Sequence, residues 1–157
     1  MCALFEKEVG MSPLVSSKVA AIIDGSQYFN LLDDAIKQRL KTSARLRAFA
    51  PGQVLIREGD ATSDLFMIAS GQVEVKTTSD DGEVVLGLLG QGQVLGEVHA
   101  ITGVNRTCTA IAKEMVNAVV IPGALIEEIV DAYPDVKEAL KSLVENRAWD
   151  TIAKTIP

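Results

Sequence analysis

The residues best equipped to hold a ligand fall in one short stretch, Gly96 to Thr109, which reads Gly-Glu-Val-His-Ala-Ile-Thr-Gly-Val-Asn-Arg-Thr-Cys-Thr. Gly96 opens what reads as a single helical turn, Gly103 breaks it, and Arg106 stands just before a β-branched run. The first N–H groups of a helix have no partner inside it and the helix dipole favours negative charge there, so a glycine-opened turn can seat an anion. Arg106 adds a planar, always-charged fork that suits phosphate oxygens. Glu97 would repel a bare anion. It fits one that carries a hydroxyl beside its phosphate, because an ionised carboxylate only accepts hydrogen bonds. A ribose whose phosphate is closed from 3′ to 5′ keeps a free 2′-hydroxyl in that place, and the residues therefore point to a cyclic nucleotide. The alternative is a structural Glu97–Arg106 pair in an empty site.

Gly96-Glu97-Val98, with Arg106-Thr107-Cys108-Thr109 after a short gap, resembles the phosphate-binding cassette of the cyclic nucleotide-binding domain family. That family's pattern is Gly-Glu-Leu-Ala-Leu, then Pro-Arg-Ala-Ala-Thr at the same Gly-to-Arg distance. The resemblance extends upstream through Phe49-Ala50-Pro51-Gly52, Ile56-Arg57-Glu58-Gly59-Asp60, Leu65 to Ile68 and Ser70-Gly71-Gln72-Val73, and covers Phe29 to Ile152. The chain departs from the pattern at His99, where the family usually has alanine, at Asn105 in place of proline, and at Leu95 in place of an aromatic residue.

The resemblance implies a site built from Leu95, Gly96, Glu97, Val98, His99 and Ala100 on one side and Asn105, Arg106, Thr107 and Cys108 on the other. Phosphate would rest on the turn at Gly96 and on Arg106, and the ribose on Glu97. Thr107 could reach the phosphate or a guanine amino group. Cys108 would be a small apolar filler in the wall. Val85 and Leu88, with Val73 and Val75, are core or pocket lining. In the family the last helix closes over the base, which here would bring Trp149 as a stacking ring and Arg147 as a cationic donor. The ligand expected is cAMP or cGMP. Cyclic di-GMP, which a few relatives of the catabolite activator proteins bind, is a variant, although no Asp and Arg clusters able to read two guanines are identifiable.

The elements that must position these residues follow from periodicity. Ser16 to Ile23 reads as a short helix, and Leu32, Ile36 and Leu40 put one apolar stripe on a helix over Leu31 to Leu40. After Arg45 the period becomes alternating: Leu46, Ala48 and Ala50 face one way, and Leu65 to Ala69 and Val73 to Lys76 flank a hairpin-like break at Ser70-Gly71. Asp81-Gly82 marks another turn before Val84 to Leu89, and Thr107 to Ala112 and Met115 to Ile121 give two more strands. Ala124 to Val130 is a short helix, and Pro134 opens a last one carrying the stripe Val136, Leu140, Leu143, Val144, Ala148 and Ile152. Many short strands with glycine turns predict a mainly β fold: an antiparallel double-stranded β-helix, or jelly-roll barrel, with N-terminal helices and a C-terminal helical lid. Residues 1–26 are expected to be a tail and short helix. Residues 27–157 would form the nucleotide-binding domain, including the last helix at about 134–154. The order of Met1 to Gly10 stays open between helix and tail.

Composition narrows the function. A formal net charge of −6 with no basic stripe argues against a nucleic-acid surface. Catabolite-activator-like members continue into a helix-turn-helix domain; none is expected here, so direct DNA control would need another polypeptide. Two cysteines, Cys2 and Cys108, form no disulfide framework, and no stretch reads as a leader or membrane span, which together fit a soluble cytoplasmic protein. A metal enzyme on a cupin-type barrel would need several histidine ligands, and His99 is the sole histidine, so neither a metal nor an enzymatic activity is expected. The reading is a stand-alone sensor whose last helix moves on binding and is read by an effector protein or by a second copy of the chain. A ligand-free dimerisation module is the alternative.

Overall fold

The computed structural model describes residues 7–8 and 13–155, with side chains described over 14–148. Two antiparallel sheets and a helical layer make up the fold. The first sheet runs β1 (Lys7–Glu8), β2 (Arg45–Phe49), β9 (Val116–Ile121), β4 (Leu65–Ser70) and β7 (Val94–Leu95), and the second runs β3 (Val54–Ile56), β8 (Thr109–Ala112), β5 (Val73–Ser79) and β6 (Gly82–Leu89). The helices are α1 (Pro13–Asp24), α2 (Asp34–Ser43), α3 (Glu97–Thr102), α4 (Gly123–Ala132) and α5 (Pro134–Thr155). This is the jelly roll with helices at both ends that the strand spacing predicts.

Within the first sheet β4 and β9 are buried on both faces, which explains why they read as unbroken apolar runs instead of clean alternation. Leu65 and Met67 of β4, with Val119 and Ile121 of β9, face the helical layer, where they meet Val19 and Ile23 of α1, Leu40 of α2, Ile126 and Ile129 of α4 and Leu140 of α5. Their neighbours in sequence, Phe66, Ile68, Val116, Ala118 and Val120, point the other way and pack with Ile56, Val73, Ala110 and Ala112 of the second sheet. In β2 the same division puts Leu46 against the helices and Phe49 between the sheets.

Helix boundaries move for local chemical reasons. α1 begins at Pro13, three residues before the expected Ser16, because proline needs no N–H partner in a first turn. α2 begins at Asp34, not Leu31, because Asp33 takes the cap position and its carboxylate accepts from Ile36 N at 3.0 Å. Leu32 is still buried, at the mouth of the same cluster.

One expected connection is wrong. Ser70-Gly71 does not close a hairpin, since β4 pairs with β7 and β9 while β5 pairs with β6 and β8. The break carries the chain from one sheet to the other. Gly71 makes that passage at φ +91, and a Cβ there would run into the Met115 carbonyl and the Val116 backbone. The real hairpin is β5–β6, closed by the Ser79–Gly82 pair around Asp80-Asp81. Its ladder slips between Val75 and Lys76, whose partners are Gly87 and Val85, leaving Leu86 as an extra residue. A bulge of this kind inverts the face that each following residue presents.

Candidate functional site

α3 sits between β7 and β8, and its start is set by Gly96 at φ +94. A Cβ on residue 96 would lie 2.7 Å from the Asp64 carbonyl oxygen and 2.8 Å from Arg106 Nη1, so only glycine gives both the backbone sign and the room. The helix ends at Gly103, φ +72, whose N–H donates to the His99 carbonyl at 2.8 Å. Together these turns return the chain across six residues to Arg106.

Arg106 is fixed at both ends. Its backbone N–H donates to the Asp60 carbonyl at 2.8 Å, and its carbonyl accepts from Gly59 N at 2.8 Å. In the side chain, Nε donates to Thr62 Oγ1 at 3.0 Å and Nη2 to the Asp64 carbonyl at 2.7 Å. Asp64 is in turn held by its carboxylate, which accepts from Gly123 N at the start of α4 at 3.1 Å. The residue is only 5% exposed, and burial pulls its guanidinium down from the ordinary arginine value against the raising fields of Asp64, Glu97 and Asp60. It stays a cation. With Nε and Nη2 spent on the protein, Nη1 is buried and has no hydrogen-bond partner among the described residues.

Glu97 is equally buried, at 5% exposure, yet it does not pair with Arg106. Its Oε2 lies 2.8 Å from Arg147 Nη1 on α5, and the same nitrogen donates to the Val94 carbonyl of β7 at 2.7 Å. Arg147 lines the cavity, and its guanidinium ties the last helix to the cassette's acid and to the strand leading into it.

Gly96, Glu97, Arg106 and Arg147 converge on a single cavity of about 650 Å³, whose wall also takes in Leu95, Val98, His99, Thr107 and Cys108. Such a volume lies within the ~300–1,000 Å³ typical of small-molecule sites. His99 Nδ1 meets the Val104 carbonyl at 2.8 Å, which ties the imidazole to the loop after α3. A carbonyl only accepts, so Nδ1 carries the proton in this contact. Cys108 has its thiol pushed up to about 11, chiefly by burial and then by the field of Glu97, so it stays protonated at neutral pH.

Three expected positions stand off the cavity wall. Ala100 packs against the helical core on the opposite side of α3, Asn105 is exposed in the loop, and Val85 is 54% exposed. Val85 fails because of the β6 bulge, which hands the inward position to Leu86. Val75 and Leu88 do line the cavity, whereas Val73 is wholly core. Trp149 belongs to α5, but its side chain lies outside the described residues.

The sequence reading missed two groups of residues. Thr62 and Asp64 hold Arg106, and their only signal is a small polar run before β4. Leu86, Gly87, Leu89 and Gln93, with Ile56 of β3 and Leu143, Val144, Asn146 and Ala148 of α5, also line the wall; only the apolar stripe of the last helix hinted at Leu143, Val144 and Ala148. Among the described residues no cluster of three or more His, Cys, Asp or Glu side chains is placed to hold a metal ion. No helix among them is long and apolar enough to cross a membrane.

Comparison with known proteins places this geometry. A family model, the cyclic nucleotide-binding domain, matches residues 46–133. The cAMP-dependent protein kinase regulatory subunit of Mycosarcoma maydis is 32% identical over 84 residues, 54% of this chain but only 16% of that protein. A cyclic nucleotide-binding domain from Methylobacillus flagellatus superposes with a TM-score of 0.74 at 18% identity, covering 96% of this chain and 90% of its own. The regulatory domain of Toxoplasma gondii PKA, solved with cAMP, gives a TM-score of 0.70 at 21% identity, covering 76% of this chain and 46% of that one. The shared jelly roll and the family match over more than half of the sequence lead to one assignment: the chain belongs to the cyclic nucleotide-binding domain family.

Proposed function

We propose that the cavity binds a 3′,5′-cyclic nucleotide, cAMP or cGMP, and that the chain is a regulatory sensor and not an enzyme. The observation that carries this is Arg106 Nη1. A buried charged donor without an acceptor is costly to keep, and an oxygen of a cyclic phosphate beside the α3 turn would supply the missing partner. The uncovered backbone N–H groups of the turn at Gly96 would share the same charge.

Glu97 would accept the ribose 2′-hydroxyl. A carboxylate has room for several hydrogen bonds, so its pair with Arg147 leaves capacity for one more. Because Arg147 belongs to α5, a ligand that draws on Glu97 also changes what holds the last helix. The placement of α5 would then shift by the ligand's differential affinity for its two positions, which is the most any ligand can do. An effector protein or a second copy of the chain would read that helix.

Titration calorimetry with cAMP, cGMP and cyclic di-GMP tests the ligand, and hydrogen exchange over residues 134–154 tests the helix. The expected result is saturable binding of a cyclic mononucleotide together with slower exchange in α5. If none of the three produces heat or thermal stabilisation at millimolar concentration, the ligand-free dimerisation module takes its place.

A further inference from the structure

His99 is the sole histidine of the chain, and it stands on the wall of the cavity that Glu97 and Arg106 share. The contacts proposed for the ligand leave it unused. Its Nδ1 donates to the Val104 carbonyl at 2.8 Å, so Nε2 of the neutral ring is a bare acceptor with no hydrogen-bond partner among the described residues. Phosphate oxygens are acceptors too, and a neutral ring offers them nothing. A proton on Nε2 adds both a second N–H donor and a positive charge, and it leaves the bond from Nδ1 in place. Histidine is the side chain that ordinarily changes charge between about pH 5 and 8.

We infer that His99 is a second cationic partner for the ligand's phosphate and that binding draws a proton onto it, so that cyclic-nucleotide affinity rises as pH falls. The inference rests on the cyclic-nucleotide reading above. In the cavity without ligand the guanidinium groups of Arg106 and Arg147 oppose a further cation, and the Glu97 carboxylate, already paired with Arg147, offsets only part of that field. The Cys108 thiol stays neutral. Both α4 and α5 pack on α3, but Glu127, Glu128 and Asp131 of α4 and the described carboxylates and lysines of α5 are exposed, line no part of the cavity, and are screened by water. A cyclic phosphodiester stays a monoanion throughout this pH range. Its arrival tips the balance at the ring toward the cation, and by linkage whatever favours the proton in the complex favours the ligand at lower pH.

The test is titration calorimetry of the full chain with cAMP and cGMP at about pH 8 and about pH 6, for the wild type and for His99→Gln, whose amide carries no charge at either pH. The wild type should bind roughly 3- to 20-fold more tightly at the lower pH, a coupling suited to a partly exposed ring, while the affinity of His99→Gln should change by less than about twofold. Because the chain has a single histidine, its imidazole proton signal in NMR needs no assignment. Saturating nucleotide at neutral pH should move that signal toward its protonated position, and this readout on the wild type decides the matter even if His99→Gln does not fold. A wild-type affinity equal at both pH values overturns the inference, as does a pH dependence that His99→Gln keeps, or an imidazole signal that ligand does not move toward the protonated position. In each of these cases the cyclic-nucleotide reading survives, because the ligand still binds. Absence of binding by either nucleotide to the wild type at both pH values overturns both.

Discussion

Replacing Arg106 with methionine should separate the cost of the site from its use. The guanidinium gives two bonds to the protein, through Nε to Thr62 and Nη2 to Asp64, and both are lost. Against that loss stands the relief of a cation that is 95% buried with one nitrogen unpartnered. Hydrogen bonds to a charged group are worth ~1.5–3 kcal/mol each, and desolvating an ion costs several kcal/mol, so the two effects largely offset one another. The unliganded variant should therefore melt within a few degrees of the wild type. Binding has no such offset. One charge-assisted bond to phosphate is worth ~1.5–3 kcal/mol, which raises Kd by roughly 10- to 150-fold. With cAMP at a hundred times the wild-type Kd, the wild type gains about 2.7 kcal/mol, or roughly 5–11 °C for a chain of this size. At that same concentration the variant gains only about 0.3–1.4 kcal/mol, roughly 1–5 °C. Paired thermal melts with and without ligand measure both quantities. A variant that kept the whole wild-type shift would show that Nη1 does not hold the phosphate.

Gly96→Ala should lose binding and also destabilise the unliganded chain by ~1–3 kcal/mol, seen in urea melts, because it combines a positive φ with a Cβ set against Arg106 Nη1 and the Asp64 carbonyl. Arg147→Ala leaves Glu97 buried without its partner; with Arg147 a quarter exposed, the loss should be ~1–3 kcal/mol, below that of a fully buried pair, and adding Glu97→Gln should recover much of it. Simple additivity of the two changes would mean the ion pair carries no coupling. A 2′-deoxy cyclic nucleotide should bind more weakly than its parent and slow exchange in α5 less. In a Cys2→Ser background, Cys108 should alkylate roughly a hundredfold or more slowly than a free thiol at pH 7.5, because little thiolate is present. Its folded value of about 11 lies above that of an unfolded thiol, so this contribution to stability is present at neutral pH and is lost as pH rises toward 11.

What could be read from sequence was what is local. Gly96, Glu97 and Arg106 stand within eleven residues of each other, and the turn that joins them is written in Gly96 and Gly103. The supports of Arg106 were not legible, since Thr62 and Asp64 reach it from 44 and 42 residues away. Strands were found but one adjacency was not: Ser70-Gly71 has the composition of a hairpin turn, and only the packing of two sheets makes it a crossing between them. Val85 was taken into the site and Leu86 was not, and the bulge that turns Leu86 inward has no mark in the residue types around it. The contacts of Arg147 with Glu97 and the Val94 carbonyl were not legible for a related reason. Periodicity puts it on α5, but not which polar group of the cassette lies under it.

The two halves of the site are anchored differently, and that difference is what could make it a switch. Arg106 is held by Gly59, Asp60, Thr62 and Asp64, all in the connection between β3 and β4, so none of these holds on the phosphate-binding cation comes from α5. Glu97 has as its ion-pair partner Arg147 of α5. On the proposed reading, phosphate held by Arg106 would add affinity through a side chain that α5 does not hold, whereas the ribose hydroxyl would act on the one carboxylate the helix also holds. On this arrangement the part of the ligand that gives the tightest grip is not the part that carries the signal, and a ligand keeping its phosphate but lacking the 2′-hydroxyl should occupy the cavity while leaving α5 close to its unliganded exchange rate.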